Sequence, residues 1–162
     1  MIVCITGTPG TGKSSVAQEL DSFEVLDLTE FIKENNIGEK TEEIEVEIDE
    51  VVDAVEKDLA NRTVVEGHLS HHLACDLCIV LRCRPDILEE RLSERDYSKQ
   101  KIAENVEAET LDIVLSEAVE NQENILEVDT TGRTAEEVAK EIEDKIEKNR
   151  TGYGDIDWTS YL

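Results

Sequence analysis

Eight consecutive residues, Gly7-Thr8-Pro9-Gly10-Thr11-Gly12-Lys13-Ser14, fit G-x-x-x-x-G-K-[ST] at every fixed position, and a stretch of this kind restricts the surrounding fold tightly. Glycines at 7, 10 and 12 permit positive φ and let the backbone approach a polyphosphate with no Cβ in the way, so successive N–H groups can converge on one anion. A helix opening inside the pattern adds its N-terminal N–H groups and dipole at the same point. Lys13 then reaches the β- and γ-phosphates, and Ser14 offers its hydroxyl to Mg²⁺. Ser15 is placed for the α-phosphate. The flanks suit this role: residues 1–6 form an apolar run fit for a buried parallel strand, and residues 15–20 continue as a helix. The expected ligand is ATP with Mg²⁺.

The rest of the chain alternates in the same way. Residues 23–28 read as a second strand and 29–36 as a short helix ended near Gly38. Ile48, Val51, Val52, Val55 and Leu59 fall at helical spacing. Residues 63–66 and 77–81 are buried-strand patterns, and a helix opens near Pro85 with Asp86 as its expected cap and Glu89 three residues on. One long helix is expected over 101–122, burying Ala103, Val106, Leu111, Val114, Leu115 and Ala118. A strand at 124–129 and a last helix, capped by Thr134 with Glu137, complete the pattern. The prediction is one α/β domain over residues 1–150, a doubly wound sheet of about five parallel strands. Residues 151–162, with Trp158 and Tyr161, form a C-terminal tail that either docks an aromatic anchor or frays.

Composition narrows the function classes. The 162 residues are 39% apolar with only two prolines, which suits a folded globule. There is no basic segment ahead of an apolar core at the N-terminus and no apolar run of membrane-spanning length, so the expected setting is cytoplasmic. Cys4, Cys75, Cys78 and Cys83 are expected as free thiols. A net charge of −24 repels nucleic acid and anionic membranes, so neither is an expected partner. The charge serves solubility or meets a strongly basic protein partner.

In a parallel sheet, ligands gather at the carboxyl ends of strands, which brings Glu66 and His68 toward the phosphate loop. Glu66 can hold the water shell of Mg²⁺. His71, His72, Cys75 and Cys78 contain a tetrahedral zinc set in principle. Against it, residues 77–81 read as a strand that turns Cys78 into the core as a small apolar residue. Residues 82–101 carry six bases and five acids, a positive island in an acidic chain. By contrast residues 34–58 carry eleven acids and two bases, and no arginine occurs between Lys13 and Arg62. Residues 96–100 interrupt the helical pattern and are a candidate lid.

Three segments together resemble the adenylate kinase isoenzyme 6 family, in an archaeal form: residues 7–14, Glu66-Gly67-His68, and residues 90–109 with Arg95-Asp96-Tyr97 at their centre. The resemblance covers most of the chain and implies a nucleoside monophosphate kinase fold with a short lid at 94–104 and a monophosphate-binding region at 30–53. It implies that Gly10, Gly12, Lys13, Ser14 and Ser15 hold ATP and Mg²⁺, that Arg95 contacts the ATP phosphates, and that His68 takes a catalytic position. Arg133 is the candidate beside the adenine. The family's ATPase activity and its binding of a basic small-subunit ribosomal protein are implied as well. Lys33 stands where relatives often carry arginine and lacks the planar fork that grips phosphate from two sides. Two functions are therefore expected: a kinase transferring the γ-phosphoryl of ATP to AMP or another monophosphate, or an ATP-hydrolysing assembly factor with little kinase activity.

Overall fold

The computed structural model describes residues 1–40, 44–45, 47–57, 59 and 61–162. In chain order the elements are β1 (Ile2–Thr6), α1 (Lys13–Gln18), β2 (Glu24–Asp27), α2 (Leu28–Glu34), β3 (Glu39–Lys40), β4 (Ile44–Glu45), α3 (Ile48–Glu56), β5 (Thr63–Glu66), β6 (Leu77–Arg82), α4 (Pro85–Ser93), α5 (Lys99–Thr110), α6 (Ile113–Asn121), β7 (Ile125–Asp129) and α7 (Ala135–Glu147). Five strands form one sheet in the order β2-β5-β1-β6-β7, and every pair in it is parallel. The two-residue strands β3 and β4 form a separate antiparallel pair.

Alternation along β1 explains the double winding. Val3 and Ile5 face a core shared with α1 and α7, through Val16, Leu20, Val138 and Ile142. Cys4, pointing the other way, packs with Leu28, Ile32, Val51, Val55, Leu115 and Ala118 of α2, α3 and α6. A sheet buried on both faces needs continuous apolar strands, and β6, Leu-Cys-Ile-Val-Leu-Arg, is buried at every position. Leu88 and Leu92 of α4, with Cys83, form a smaller core that Tyr97, Ile102 and Val106 cover, so the α4–α5 hairpin has its own packing.

Two sequence expectations are corrected here. The cap of α4 is Arg84, not Asp86, with Pro85 in the first helical turn. Proline lacks the N–H that a cap would satisfy and fits that position; the Asp86 carboxylate instead accepts from Arg84 at 2.6 and 2.9 Å. The long helix is two helices, α5 starting at Lys99 behind the Ser98 cap and α6 starting behind Asp112, whose φ is +56°. Ala103 and Leu111 are exposed, while Glu109 and Thr110 are buried.

A buried ion cluster lies at the break. Arg82, 1% exposed at the end of β6, donates to Glu109 Oε1 at 2.8 Å and meets Glu127 of β7 and Asp112 at the helix junction. Glu109 also accepts from the Cys83 N–H at 3.0 Å and, through Oε2, from Thr8 Oγ1 of the glycine-rich loop at 2.7 Å.

The tail docks through its backbone. Gly152 makes a parallel bridge to Leu126, with N–H···O distances of 2.8 and 2.9 Å, and the Gly154 N–H donates to Glu127 at 2.7 Å. Trp158 and Tyr161 pair edge to face at 6.4 Å. Removing Arg82 leaves the buried carboxylates of Glu109 and Glu127 without a counter-charge, so Arg82→Met is expected to lower unfolding free energy by about 3–5 kcal/mol. Urea denaturation of the full chain measures this, and a loss below about 1 kcal/mol would mean that the cluster is not a structural requirement.

Candidate functional site

The central strand β1 ends at Thr6, between the carboxyl ends of β5 and β6, and passes directly into the glycine-rich loop. Sterics fix the glycines. A Cβ at Gly7 would lie 2.7 Å from the Leu81 carbonyl oxygen and 2.7 Å from Thr11 Oγ1. Gly12 is the cap of α1 at φ +99°, in the left-handed region that disfavours a side chain. The loop is tied internally by Thr11 Oγ1 donating to the Thr8 carbonyl at 2.8 Å, and outward by Thr8 to Glu109.

Lys13 turns its ammonium back over the loop, donating to the carbonyls of Gly7 at 2.9 Å and Thr8 at 3.2 Å. Desolvation there pulls its pKa down to about 8; the Glu66 charge opposes this and Arg95 adds to it. Ser14 donates to Glu66 Oε1 at 2.7 Å. Glu66 ends β5, in register with Ile5 of β1 and Asp27 of β2, so two acids of neighbouring strands stand side by side. Burial raises the Glu66 pKa, against the Ser14 hydrogen bond and with the Asp27 charge adding to the rise. A hydroxyl and a carboxylate this close form the hard, all-oxygen donor pair that suits Mg²⁺.

His68 stands at the rim, beyond Gly67, with part of its ring open to solvent. Its covered part, then the charge of Lys13, hold its pKa below the ordinary imidazole value, so the ring is neutral at pH 7. Its carbonyl accepts from Thr6 Oγ1 at 3.3 Å.

On the other side of the loop lies a cleft of about 480 Å³ walled by Gly10, Gly12, Ser15, Arg91, Arg95 and Arg133. The sequence candidates thus fall into two adjoining groups, Lys13-Ser14-Glu66 with His68 at its rim and the Arg95-Arg133 cleft. Arg133 reaches the cleft already engaged: its guanidinium donates to the Asp129 carbonyl at 2.9 Å and meets Glu141 at 2.6 Å. Part of the positive island is consumed by internal pairs, with Arg82 in its carboxylate cluster and Arg84 on Asp86. Arg95 remains exposed on the cleft wall.

Arg91 was not singled out from the sequence. It donates to the Gly10 carbonyl at 3.3 Å and to the Thr130 carbonyl at 3.1 Å, holding α4 to the loop. No local signal marked it, since Arg95, the neighbouring cation on the cleft wall, lies beyond the end of α4. Glu109, equally central, carried none, being one acid among forty. The weighed zinc set is not assembled: Cys78 is buried on β6 beside Cys4, all four cysteines are free, and the metal-competent grouping among the described residues joins His71 and His72 to Glu117 instead. Of the 30–53 region, residues 41–43 and 46 lie outside the described residues. Among the described residues no helix is long and apolar enough to cross a membrane.

A family model described as "AAA domain" matches residues 3–112. Two archaeal proteins provisionally named adenylate kinase are similar over nearly the whole chain. The Pyrococcus furiosus protein is 50% identical over 167 residues, covering 98% of this chain and 92% of its own. The Thermococcus gammatolerans protein is 48% identical over 165 residues, covering 98% and 93%. Among solved structures, shikimate kinase from Acinetobacter baumannii in complex with shikimate superposes with a TM-score of 0.64 at 14% identity, covering 92% of this chain and 94% of that one. At that identity the likeness speaks to the fold alone.

A triphosphate beside Lys13 favours its charged form and lifts its pKa away from about 8. Binding above pH 8 must then take up a proton, and affinity falls as pH rises, by up to roughly tenfold per unit. Near pH 7 the free ammonium is already charged and uptake is small. Titration calorimetry of MgATP in buffers of different ionisation enthalpy, from pH 7 to 9, measures this; proton uptake that persists unchanged in Lys13→Ala would assign it elsewhere.

Proposed function

The chain belongs to the family of P-loop kinases that the AAA-domain model describes and the archaeal relatives share, and on that premise we propose that it is a nucleoside monophosphate kinase of the adenylate kinase type, akin to isoenzyme 6. The reaction is ATP plus a nucleoside monophosphate, AMP first among them, giving ADP and the diphosphate. The observation that carries this reading is the Ser14–Glu66 contact at 2.7 Å directly beside Lys13, next to a cleft walled by Arg91 and Arg95.

Each part then has a task. The N–H groups of the loop from Gly10 to Gly12 cradle the phosphates, and Ser15 takes the α-phosphate. Ser14 directly and Glu66 through water would hold Mg²⁺, which when bound neutralises charge on the phosphate oxygens. Lys13 and Arg95 supply fixed positive charge where the γ-phosphoryl moves, and Arg133 borders the base. As the bond from the γ-phosphorus to the ADP oxygen breaks, one forms to an oxygen of the acceptor phosphate, and no proton need be removed from that acceptor. His68, neutral at pH 7, serves to orient the acceptor rather than to carry charge. Preventing water from taking the acceptor's place is the task of the α4–α5 hairpin.

A second activity follows from the acceptor side. Residues 28–57 offer the acceptor lysines and no arginine, and Lys33 lies exposed in the last turn of α2. Orientation of an acceptor is worth roughly 7–11 kcal/mol of barrier, so where the monophosphate is loosely held the γ-phosphoryl of ATP passes in part to water, leaving ADP and phosphate. We extend the proposal to ATP hydrolysis coupled to a strongly basic partner, a small-subunit ribosomal protein, with the net charge of −24 supporting the attraction.

ADP formation from ATP alone, then with each of the four monophosphates added, tests the first reading. Turnover should rise with AMP; if none of the four raises it above the ATP-only rate, the kinase assignment fails. Lys13→Ala is expected to cost at least about 10²-fold in both rates, and His68→Ala to depress transfer more than hydrolysis. For the partner, capture from lysate at low and high salt should recover basic ribosomal protein only at low salt; its absence at low salt removes that part.

A further inference from the structure

Behind the phosphate loop, on the side away from the arginine cleft, two histidines and a glutamate converge. The short 3₁₀ turn Ser70–His72 carries His71 and His72, and Glu117 comes from α6. One ligand atom from each lies within 4.8 Å of the others. His71 Nε2 is 3.0 Å from Glu117 Oε2, and the two imidazole rings have centroids 4.2 Å apart. We propose that His71, His72 and Glu117 form a binding site for a divalent transition-metal ion of the zinc or cobalt class, separate from the Mg²⁺ position at Ser14 and Glu66.

The turn that carries the ligands is held in place from three sides. Ser70 Oγ donates to the Ile5 carbonyl at 2.8 Å, and the Gln122 amide donates to the carbonyls of His71 and Leu73 at 2.7 Å each. Thr6 Oγ1 contacts His71 Nδ1 at 2.8 Å, which leaves Nε2 as the ring nitrogen facing Glu117. A fixed partner on the far ring nitrogen is how ligating histidines are oriented. His71 is fully buried, His72 and Glu117 are half-buried, and so the site has an anchored floor and an open side through which an ion and its waters enter.

The donor set decides the class of ion. Two imidazole nitrogens and one carboxylate oxygen suit zinc, cobalt, nickel and copper, whereas magnesium and calcium prefer oxygen alone. Atoms 3.0 Å apart subtend about 90° at an ion roughly 2.1 Å from each, within the range such ions accept. His72 closes the set by a side-chain rotation at the surface. Nothing in the phosphotransfer scheme uses these three residues, so the inference stands or falls independently of that scheme.

The test uses the tag-free full chain, stripped of metal and free of nucleotide, in excess Mg²⁺ so that all-oxygen positions are filled. Co²⁺ is titrated by its visible absorption and then displaced with Zn²⁺. One saturable site is expected, without the near-ultraviolet charge-transfer band that a cysteine thiolate would give. His72→Ala and Glu117→Gln, both at half-buried positions, should each weaken Co²⁺ binding at least about tenfold while circular dichroism and melting of the metal-free protein stay unchanged. The proposal is overturned by no saturable binding, by binding that both substitutions leave intact, or by a thiolate band that assigns the ion to Cys75.

Discussion

A single guanidinium joins the parts of this protein that must stay in register. Arg82 ends β6, and its three carboxylate partners come from α5, the α5–α6 junction and β7. Isolating such a charge from water costs several kcal/mol per ion, and only excellent geometry offsets that cost. Here the offset is collective. Glu109 spends its second oxygen on Thr8 of the loop and Glu127 spends its second on the Gly154 N–H of the tail. The loop that approaches phosphate is therefore fastened to the base of the α4–α5 hairpin, and the sheet to the end of the chain, through one buried cluster. Asp112, which divides α5 from α6, holds a left-handed backbone conformation beside that cluster.

The acidity of the molecule and its ability to hold an anion are reconciled by distance. At physiological salt the Debye length is about 8 Å, so exposed acids elsewhere on the surface are screened from the loop. What counts locally is the row of loop N–H groups, Lys13 on the Gly7 and Thr8 carbonyls, and Arg95 on the cleft wall. Arg91 contributes differently. Its hydrogen bonds to Gly10 and Thr130 carbonyls make it a brace of the cleft before it is a source of charge.

The glycine pattern, the order of strands and helices and the capping box at Thr134 were legible because each rests on a local rule: left-handed backbone at glycine, side-chain periodicity, and a reciprocal cap. Glu66 was legible only given the loop, from the rule that parallel strands point their carboxyl ends at ligands. The cap of α4 was misread because Asp86 looks like a cap, although Pro85 already marked the first turn. The break at Asp112 and the role of Glu109 could not be seen. The pairing of Glu109 and Asp112 with Arg82 depends on that guanidinium being buried, a tertiary fact, and forty acids give no means of telling two structural carboxylates from solvated ones.

The bridge from Gly152 to Leu126 has a consequence beyond fastening the tail. A sheet ordered β2-β5-β1-β6-β7 has two open sides, and unpaired strand backbone is a template for other chains. On the β2 side the strand is four residues long and begins and ends with an acid, Glu24 and Asp27, which discourages addition by repulsion. The β7 side is longer and mostly apolar, and there the chain's own end occupies the vacant hydrogen-bonding positions of Ile125 and Glu127. Colloidal behaviour at high concentration is thus governed at one edge by charge, which salt can weaken, and at the other by a covalently tethered cover, which salt cannot.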